Sequence, residues 1–141
     1  MQWDRSNAAL GFSDGNVSDL YLPVDSDPSA PTVESAEKDP ESLIHTVREI
    51  IKLRHEYEDL QADAEFTPLV AQMGDSAPFV YSRGKLVLAV NPSGHEVRAV
   101  LPDAETVTHL AGKEIYKKGE STYDASSRLI TLSAQSFVIY A

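Results

Sequence analysis

The second half of the chain alternates short β-prone runs with turn residues. From Glu65 onward the runs recur at intervals of roughly ten residues, a spacing that is typical of a β-sandwich or barrel. Arg83-Gly84-Lys85 separates two of the runs and predicts a tight hairpin, because glycine readily adopts a positive φ. The predicted strands are Glu65–Ala71, Phe79–Ser82, Leu86–Asn91, Glu96–Leu101, Val107–Ala111, Glu114–Tyr116, Leu129–Leu132 and Ser136–Tyr140.

A helical pattern precedes these runs. Asp39 is a suitable N-cap and Pro40 suits the first helical position, so the pattern predicts a helix over about 40–56. Its apolar positions form one stripe at helical spacing, which needs burial against a larger body. The residues of this stripe are Leu43, Val47, Ile50 and Ile51.

The first 39 residues show no hydrophobic period. They combine several Gly and Pro residues with eight acidic and two basic residues, and we interpret them as a long acidic loop. The short apolar patch Leu20–Val24 interrupts this loop. The predicted organisation is therefore a loop and helix over residues 1–64, followed by a β domain, either a sandwich or a barrel, over residues 65–141.

Composition excludes several classes of function. A net charge of −10 disfavours binding to nucleic acid or to an anionic membrane surface. No apolar run approaches the length of a membrane span, and no secretory leader is visible. The chain has no cysteine, which excludes disulfides and thiolate metal sites and favours a cytoplasmic location.

No catalytic, metal or cofactor motif emerges from the residues themselves. The nucleophile-elbow and phosphate-loop patterns do not occur in the sequence. The four histidines lack the spacing of shared metal ligands; they are His45, His55, His95 and His109. Acidic residues are plentiful, but glycoside chemistry needs two carboxylates held at a fixed separation on a rigid scaffold. We therefore expect no catalytic residue, no metal and no cofactor in this chain.

The aromatic residues of the β part permit two interpretations. They can form a platform on which sugar rings stack, or they can belong to the core of a small sandwich, which is the commoner arrangement. The residues concerned are Phe66, Phe79, Tyr81, Tyr116, Tyr123, Phe137 and Tyr140.

The start of the chain carries a specific motif. Met1-Gln2-Trp3-Asp4, followed by Asn7-Ala8 and Gly11-Phe12-Ser13, resembles a motif of α-glucosidase-type enzymes in glycoside hydrolase family 13, the α-amylase family. Oligo-1,6-glucosidases and trehalose-synthase-like enzymes are among these members. The runs Lys38–Ile44, Ile50–Arg54 and Leu86–Asn91 resemble later segments of the same enzymes, in the same order.

This resemblance implies a placement for each part of the chain. By this resemblance, residues 1–39 correspond to the loop after the eighth strand of a (β/α)8 barrel, and residues 40–57 correspond to the eighth barrel helix. Residues 65–141 correspond to the C-terminal antiparallel β-sandwich, called domain C. The family's three catalytic acids lie on earlier barrel strands, so no acid of this chain inherits a catalytic role. We therefore expect a non-catalytic C-terminal fragment of an enzyme that hydrolyses or transfers α-glucosidic bonds.

The resemblance also implies one set of candidate site residues. By position, Gln2, Trp3 and Asp4 are expected to line the aglycone side of a pocket for an α-glucoside or maltooligosaccharide. The alternative is that Trp3 packs structurally beneath its loop. The chain departs from the family pattern by an extra residue between Ala8 and Gly11, and by lacking the proline that usually ends the helix after Arg54. We expect a rebuilt loop at the first place and a longer helix at the second.

Two other functions remain open. The sandwich can act as a carbohydrate-binding module, given its aromatic residues. Alternatively, the helix stripe of Leu43, Val47, Ile50 and Ile51 can mediate self-association, because exposed apolar patches of this kind commonly mark interaction surfaces.

Overall fold

The computed structural model describes residues 2–25, 27–72, 77–108, 110 and 112–141. The chain divides into two compact units, residues 1–54 and residues 55–141. Three α-helices lie in the described residues: α1 (Val33–Lys38), α2 (Leu43–Glu56) and α3 (Glu105–Thr108). Single 3-10 turns form at Val17–Asp19 and Glu58–Leu60.

The second unit contains two antiparallel sheets. The strands are β1 (Phe66–Val70), β2 (Phe79–Arg83), β3 (Leu86–Asn91), β4 (Val97–Val100), β5 (Glu114–Lys118), β6 (Ser121–Asp124), β7 (Leu129–Leu132) and β8 (Ser136–Tyr140). A five-stranded sheet has the order β1-β2-β3-β8-β5, and a three-stranded sheet has the order β4-β7-β6. The predicted mainly β architecture, an antiparallel sandwich preceded by a loop and a helix, is confirmed.

The core lies between the inner faces of the two sheets. Val80 and Val87 of the larger sheet, and Ile130 and Leu132 of the smaller sheet, are completely buried in one cluster. Each such side chain contributes about 1.5–3 kcal/mol through removal from water. Burial of the inward-facing apolar side chains, which alternate with outward-facing residues along the strands, therefore supplies the main stabilisation of the sandwich.

The predicted hairpin between β2 and β3 is confirmed. Arg83 pairs with Leu86, and Gly84 has a φ of +52° at the first of the two loop positions. A side chain at Gly84 would collide with the carboxylate of Asp59, so the position requires glycine for space as well as for backbone conformation.

One predicted strand is wrong and one strand was missed. In the region predicted as the strand Val107–Ala111, Val107 and Thr108 belong to the short helix α3, in which Thr108 N–H donates to the carbonyl of Ala104 (2.9 Å). The prediction was wrong because Val107 is a buried β-branched residue, a type that is typical of strands. His109 and Ala111, in the same predicted strand, lie outside the described residues. The missed strand, β6, alternates buried and exposed positions over only four residues.

The predicted helix is confirmed with shifted ends. Asp39 does not cap it directly, because its carboxylate accepts the N–H of Glu41 (3.0 Å) in a turn that precedes α2. The helix begins at Leu43 and ends at Glu56, and Tyr57 is extended, so the additional turn expected after Arg54 is a separate 3-10 turn. The residues of the predicted stripe are exposed by 76% (Leu43), 45% (Val47), 37% (Ile50) and 51% (Ile51).

A buried asparagine joins the two sheets. Asn91, at the end of β3, is 1% exposed. Its Nδ2 donates to the carbonyls of His95 (2.8 Å) and Ser133 (2.6 Å), and its Oδ1 accepts the N–H (3.0 Å) and the hydroxyl (2.7 Å) of Ser93. Ser133 directly follows β7, so one side chain connects the larger sheet to the end of a strand in the smaller sheet.

We predict that Asn91→Ala lowers the free energy of unfolding by about 3 kcal/mol, because buried carbonyl and amide groups lose their partners. Urea unfolding followed by far-UV circular dichroism measures this loss. Asn16→Ala is the matched control, since Asn16 is exposed and makes no side-chain capping bond. Equal stabilities of the two variants would contradict the bridging role of Asn91.

Candidate functional site

The motif residues lie in an extended segment that is held on two sides by its backbone. The N–H of Trp3 donates to the carbonyl of Leu10 (2.9 Å). On the other side, the carbonyls of Gln2 and Trp3 accept the N–H groups of Val33 (3.0 Å) and Glu34 (2.9 Å). The segment is thereby fixed between the following loop and the first turn of α1.

These backbone bonds explain why α1 forms within a region that the sequence predicts as loop. The first N–H groups of a helix have no intrahelical partner, and here Gln2 and Trp3 supply two acceptors. Thr32 Oγ1 accepts the N–H of Ser35 (3.1 Å), and Ser35 Oγ accepts the N–H of Thr32 (2.9 Å), which completes a capping box. The Thr-x-x-Ser spacing was the sequence signal available for the start of α1. The carbonyl acceptors of Gln2 and Trp3 lie some thirty residues earlier, so no local pattern indicates them.

The three candidate side chains have different environments. Trp3 is 49% exposed. The Asp4 carboxylate accepts the hydroxyl (2.6 Å) and the N–H (2.8 Å) of Ser6, and these bonds hold the pKa of Asp4 below its usual range. Gln2 Oε1 is buried and has no hydrogen-bond partner within the described residues. Met1, the first residue of the motif, lies outside the described residues.

The loop with the extra residue adopts an unusual backbone conformation. Leu10 and Gly11 have φ values of +53° and +73°. Leu10 is an uncommon residue for this region, which favours glycine. A Cβ at Gly11 would lie 2.8 Å from Trp3 Cβ and 2.9 Å from Asp4 Oδ2, so the chain packs tightly against the motif here.

An open groove of about 780 Å³ adjoins Gln2. Most of its surface is apolar, and it continues onto the first turns of α2 through Leu43, Ile44 and Val47. The other lining residues are Pro31, Thr32, Val33, Ser35, Ala36, Asp39 and Ser42. Sequence reasoning identified the helix stripe but not the groove, because the groove depends on the way the segment around Gln2 meets α1.

Further apolar side chains are exposed on the loop that follows the motif. Tyr21 is 98% exposed, Leu22 69% and Phe12 51%. Leu20, Pro23 and Val24 complete the surface of a pocket of about 350 Å³ beside them. The apolar patch was visible in the sequence, but nothing in the sequence indicated that its largest side chain faces solvent.

The seven aromatic residues of the β part do not form one platform. On the larger sheet, Tyr81 contacts Phe66 and Phe79 with ring centroids 5.3 and 5.1 Å apart, and Tyr116 contacts Phe137 at 5.6 Å. Tyr123 and Tyr140 pair at 5.9 Å. Tyr140 is buried and its hydroxyl donates to Ser121 Oγ (3.1 Å), so this ring belongs to the core.

The carboxyl groups with clearly altered acidity are unsuited to donating a proton in catalysis. In the described residues these are Asp4, Asp27, Glu37 and Asp124, and in all four the pKa is lowered. The hydroxyls of Ser127 and Ser126 lower the pKa of Asp124 to about 2. A general acid for glycoside cleavage instead needs a raised pKa. Accordingly, none of these four groups has the electrostatics of such an acid.

In the part of the chain that the structure describes, no three His, Cys, Asp or Glu residues are grouped as metal ligands. His45 Nε2 forms a hydrogen bond with the carbonyl of Glu37 (3.0 Å). Among the same residues, no helix has the length and apolar character to span a bilayer.

Comparison with known proteins identifies the fold. No protein-family model and no curated protein sequence matches the chain. Among solved structures, the trehalulose synthase MutB from Pseudomonas mesoacidophila matches with a TM-score of 0.76 and 22% identity, over 99% of this chain and 24% of that enzyme. The trehalose-6-phosphate hydrolase from Bacillus licheniformis matches with a TM-score of 0.75 and 20% identity, over the same shares.

The matching enzymes belong to glycoside hydrolase family 13. At this level of identity the likeness establishes the fold. This chain therefore has the fold of the C-terminal part of such enzymes, as its motifs predict, and it spans about a quarter of their length.

We predict that Gly11→Ala displaces the motif segment, because a Cβ at this position meets Trp3 and the positive φ costs about 1 kcal/mol for alanine. Trp3 is the sole tryptophan, so a red shift of its fluorescence and stronger acrylamide quenching report the change directly. Gly15→Ala is the control in the same loop, where the added Cβ meets only Ser13 Oγ at 3.3 Å. The prediction fails if both variants retain the wild-type spectrum.

Proposed function

We propose that this chain is the C-terminal, non-catalytic part of an enzyme that cleaves or transfers α-glucosidic bonds. The observation that carries the proposal is the agreement between motif order and fold. Segments resembling the α-glucosidase-type enzymes follow one another through the chain, and the fold matches over 99% of its length. Because the match covers 24% of those enzymes, the remaining part of such an enzyme would supply the catalytic acids.

The proposed substrate of the whole enzyme is an α-glucoside or a maltooligosaccharide. Structures of the matching trehalulose synthase contain its substrate sucrose, isomaltulose or glucose, which are all carbohydrates. Within this proposal Gln2, Trp3 and Asp4 line the aglycone side of the pocket. Trp3 supports this placement best, because half of its side chain remains exposed although its backbone is held on both sides.

The purified 141-residue chain is expected to show no turnover of an aryl α-glucoside above a buffer blank. The physical reason is that, among the described residues, every carboxyl with an altered pKa is more acidic than normal, whereas protonation of a leaving group needs a carboxyl that holds its proton near neutral pH. A commercial α-glucosidase assayed in parallel serves as the positive control. Turnover that persists through repurification would overturn the non-catalytic assignment.

We also propose that the isolated chain associates with itself through α2. The four stripe residues are all more than one third exposed. The apolar groove beside Gln2 continues onto the first turns of α2. Covering such a surface removes apolar area from water at roughly 25 cal/mol per Å².

Sedimentation velocity over a concentration series tests this association. Val47→Glu is expected to yield monomers, because it places a charge in the centre of the stripe. Lys52→Glu, which changes the charge on the opposite side of the same helix, is expected to leave association intact. A wild-type chain that stays monomeric at every concentration would refute the proposal.

A further inference from the structure

A pocket of about 350 Å³ lies where α3 meets the loop between β6 and β7. Its volume falls at the lower end of the range for small-molecule sites. Buried Val107 and Leu110 contribute apolar surface, and the ring of Tyr123 adds an aromatic wall. Asp103, Thr108 and residues 125–128 form a polar rim. The pocket thus combines an apolar floor with convergent polar groups.

Arg128 occupies the rim in a backbone conformation that favours glycine. Its φ is +54°, which costs a side-chain-bearing residue about 1–2 kcal/mol. Its carbonyl accepts the N–H of Leu101 (2.9 Å), an interaction that glycine would make equally well. The guanidinium lies 3.3 Å from Asp103 Oδ1. The backbone bond therefore does not require arginine, and only the side chain of Arg128 accounts for a residue other than glycine at this strained position. Residues with strained backbones cluster at functional sites.

Tyr123 packs closely against the backbone of Gly112. Gly112 has a φ of +71°, and a Cβ there would lie 3.2 Å from Tyr123 Cδ1. The ring packs on Tyr140 and on the core, so its position is fixed before any ligand arrives. A rigid aromatic wall is a low-entropy surface for an apolar ligand face.

The polar groups around the ring select a class of ligand. Arg128 donates and Asp103 accepts. The Thr108 hydroxyl can accept, since its hydrogen is donated to the carbonyl of Ala104 (3.0 Å). The arginine and the aspartate neutralise each other, which disfavours a phosphate or a carboxylate as ligand. A pyranose ring instead offers an apolar face to the tyrosine and hydroxyl groups to neighbouring donors and acceptors.

We propose that this pocket binds one glucopyranose unit of an α-linked oligosaccharide. The choice of glucose rests on the proposed function, whereas the site itself rests on the geometry of Tyr123, Arg128 and Asp103. The sandwich then contributes to carbohydrate binding through a discrete pocket at one end, instead of through the aromatic row of Phe66, Tyr81 and Phe79.

A titration of the ¹⁵N-labelled 141-residue chain with maltotriose, followed by ¹H–¹⁵N correlation spectra, tests the proposal. We expect saturable shifts at Thr108, Tyr123 and Arg128. Arg128→Gly is expected to remain folded, because glycine adopts the positive φ without strain, and to weaken binding at least tenfold. Gln135→Gly relieves the same backbone strain at φ +48° on an exposed residue outside the pocket, and is expected to bind like the wild type.

Three results would overturn the proposal. They are the lack of saturable shifts at tens of millimolar maltotriose, an unchanged affinity in Arg128→Gly, and shifts confined to Phe66, Tyr81 and Phe79. A thermal melt of each variant separates lost binding from lost folding. None of these results bears on the non-catalytic assignment, which the aryl glucoside assay tests separately.

Discussion

The sandwich depends on the buried side-chain amide of Asn91. Two sheets that pack face to face are held by apolar burial, which is strong but has no direction. The hydrogen bonds from Asn91 to the carbonyls of His95 and Ser133, and from Ser93 to Asn91, are directional and involve a side chain that is 1% exposed. They set the end of β3 against the end of β7. The polar network therefore adds directional bonds between the sheets to an apolar packing that has no direction of its own.

The first unit is organised by backbone bonds instead of a large core. The carbonyls of Gln2 and Trp3 satisfy the first N–H groups of α1, and Leu10 accepts the N–H of Trp3. The motif segment consequently has a structural role whatever its side chains bind. Its side chains are less constrained than its backbone, since Trp3 is half exposed and Gln2 Oε1 lacks a partner within the described residues. This combination of a fixed backbone with exposed side chains is suited to a loop that presents residues to a ligand.

Sequence reasoning succeeded where the pattern is local. Short β-prone runs predicted seven of the eight strands that the described residues form, and the turn at Gly84 was predicted from the backbone freedom of glycine. It failed where distant contacts decide the structure: α1 obtains its capping acceptors from the motif segment, and buried Val107 lies in a helix although it reads as a strand residue. The candidate residues Gln2, Trp3 and Asp4 were located by resemblance, and their binding role is still a prediction.

The sequence by itself determined the class of the fold, the amphipathic helix and the resemblance to the α-glucosidase-type enzymes, because strand alternation, helical spacing and short motifs are properties of neighbouring residues. Only the tertiary structure decided which aromatic rings are buried and in what order the strands pair within each sheet. It also decided that Arg128, Asp103 and Tyr123 meet around one pocket. Asp103, for example, lies twenty or more positions before Tyr123 and Arg128 in the chain. The energies of these features come from burial and hydrogen bonding after folding, which no local pattern records.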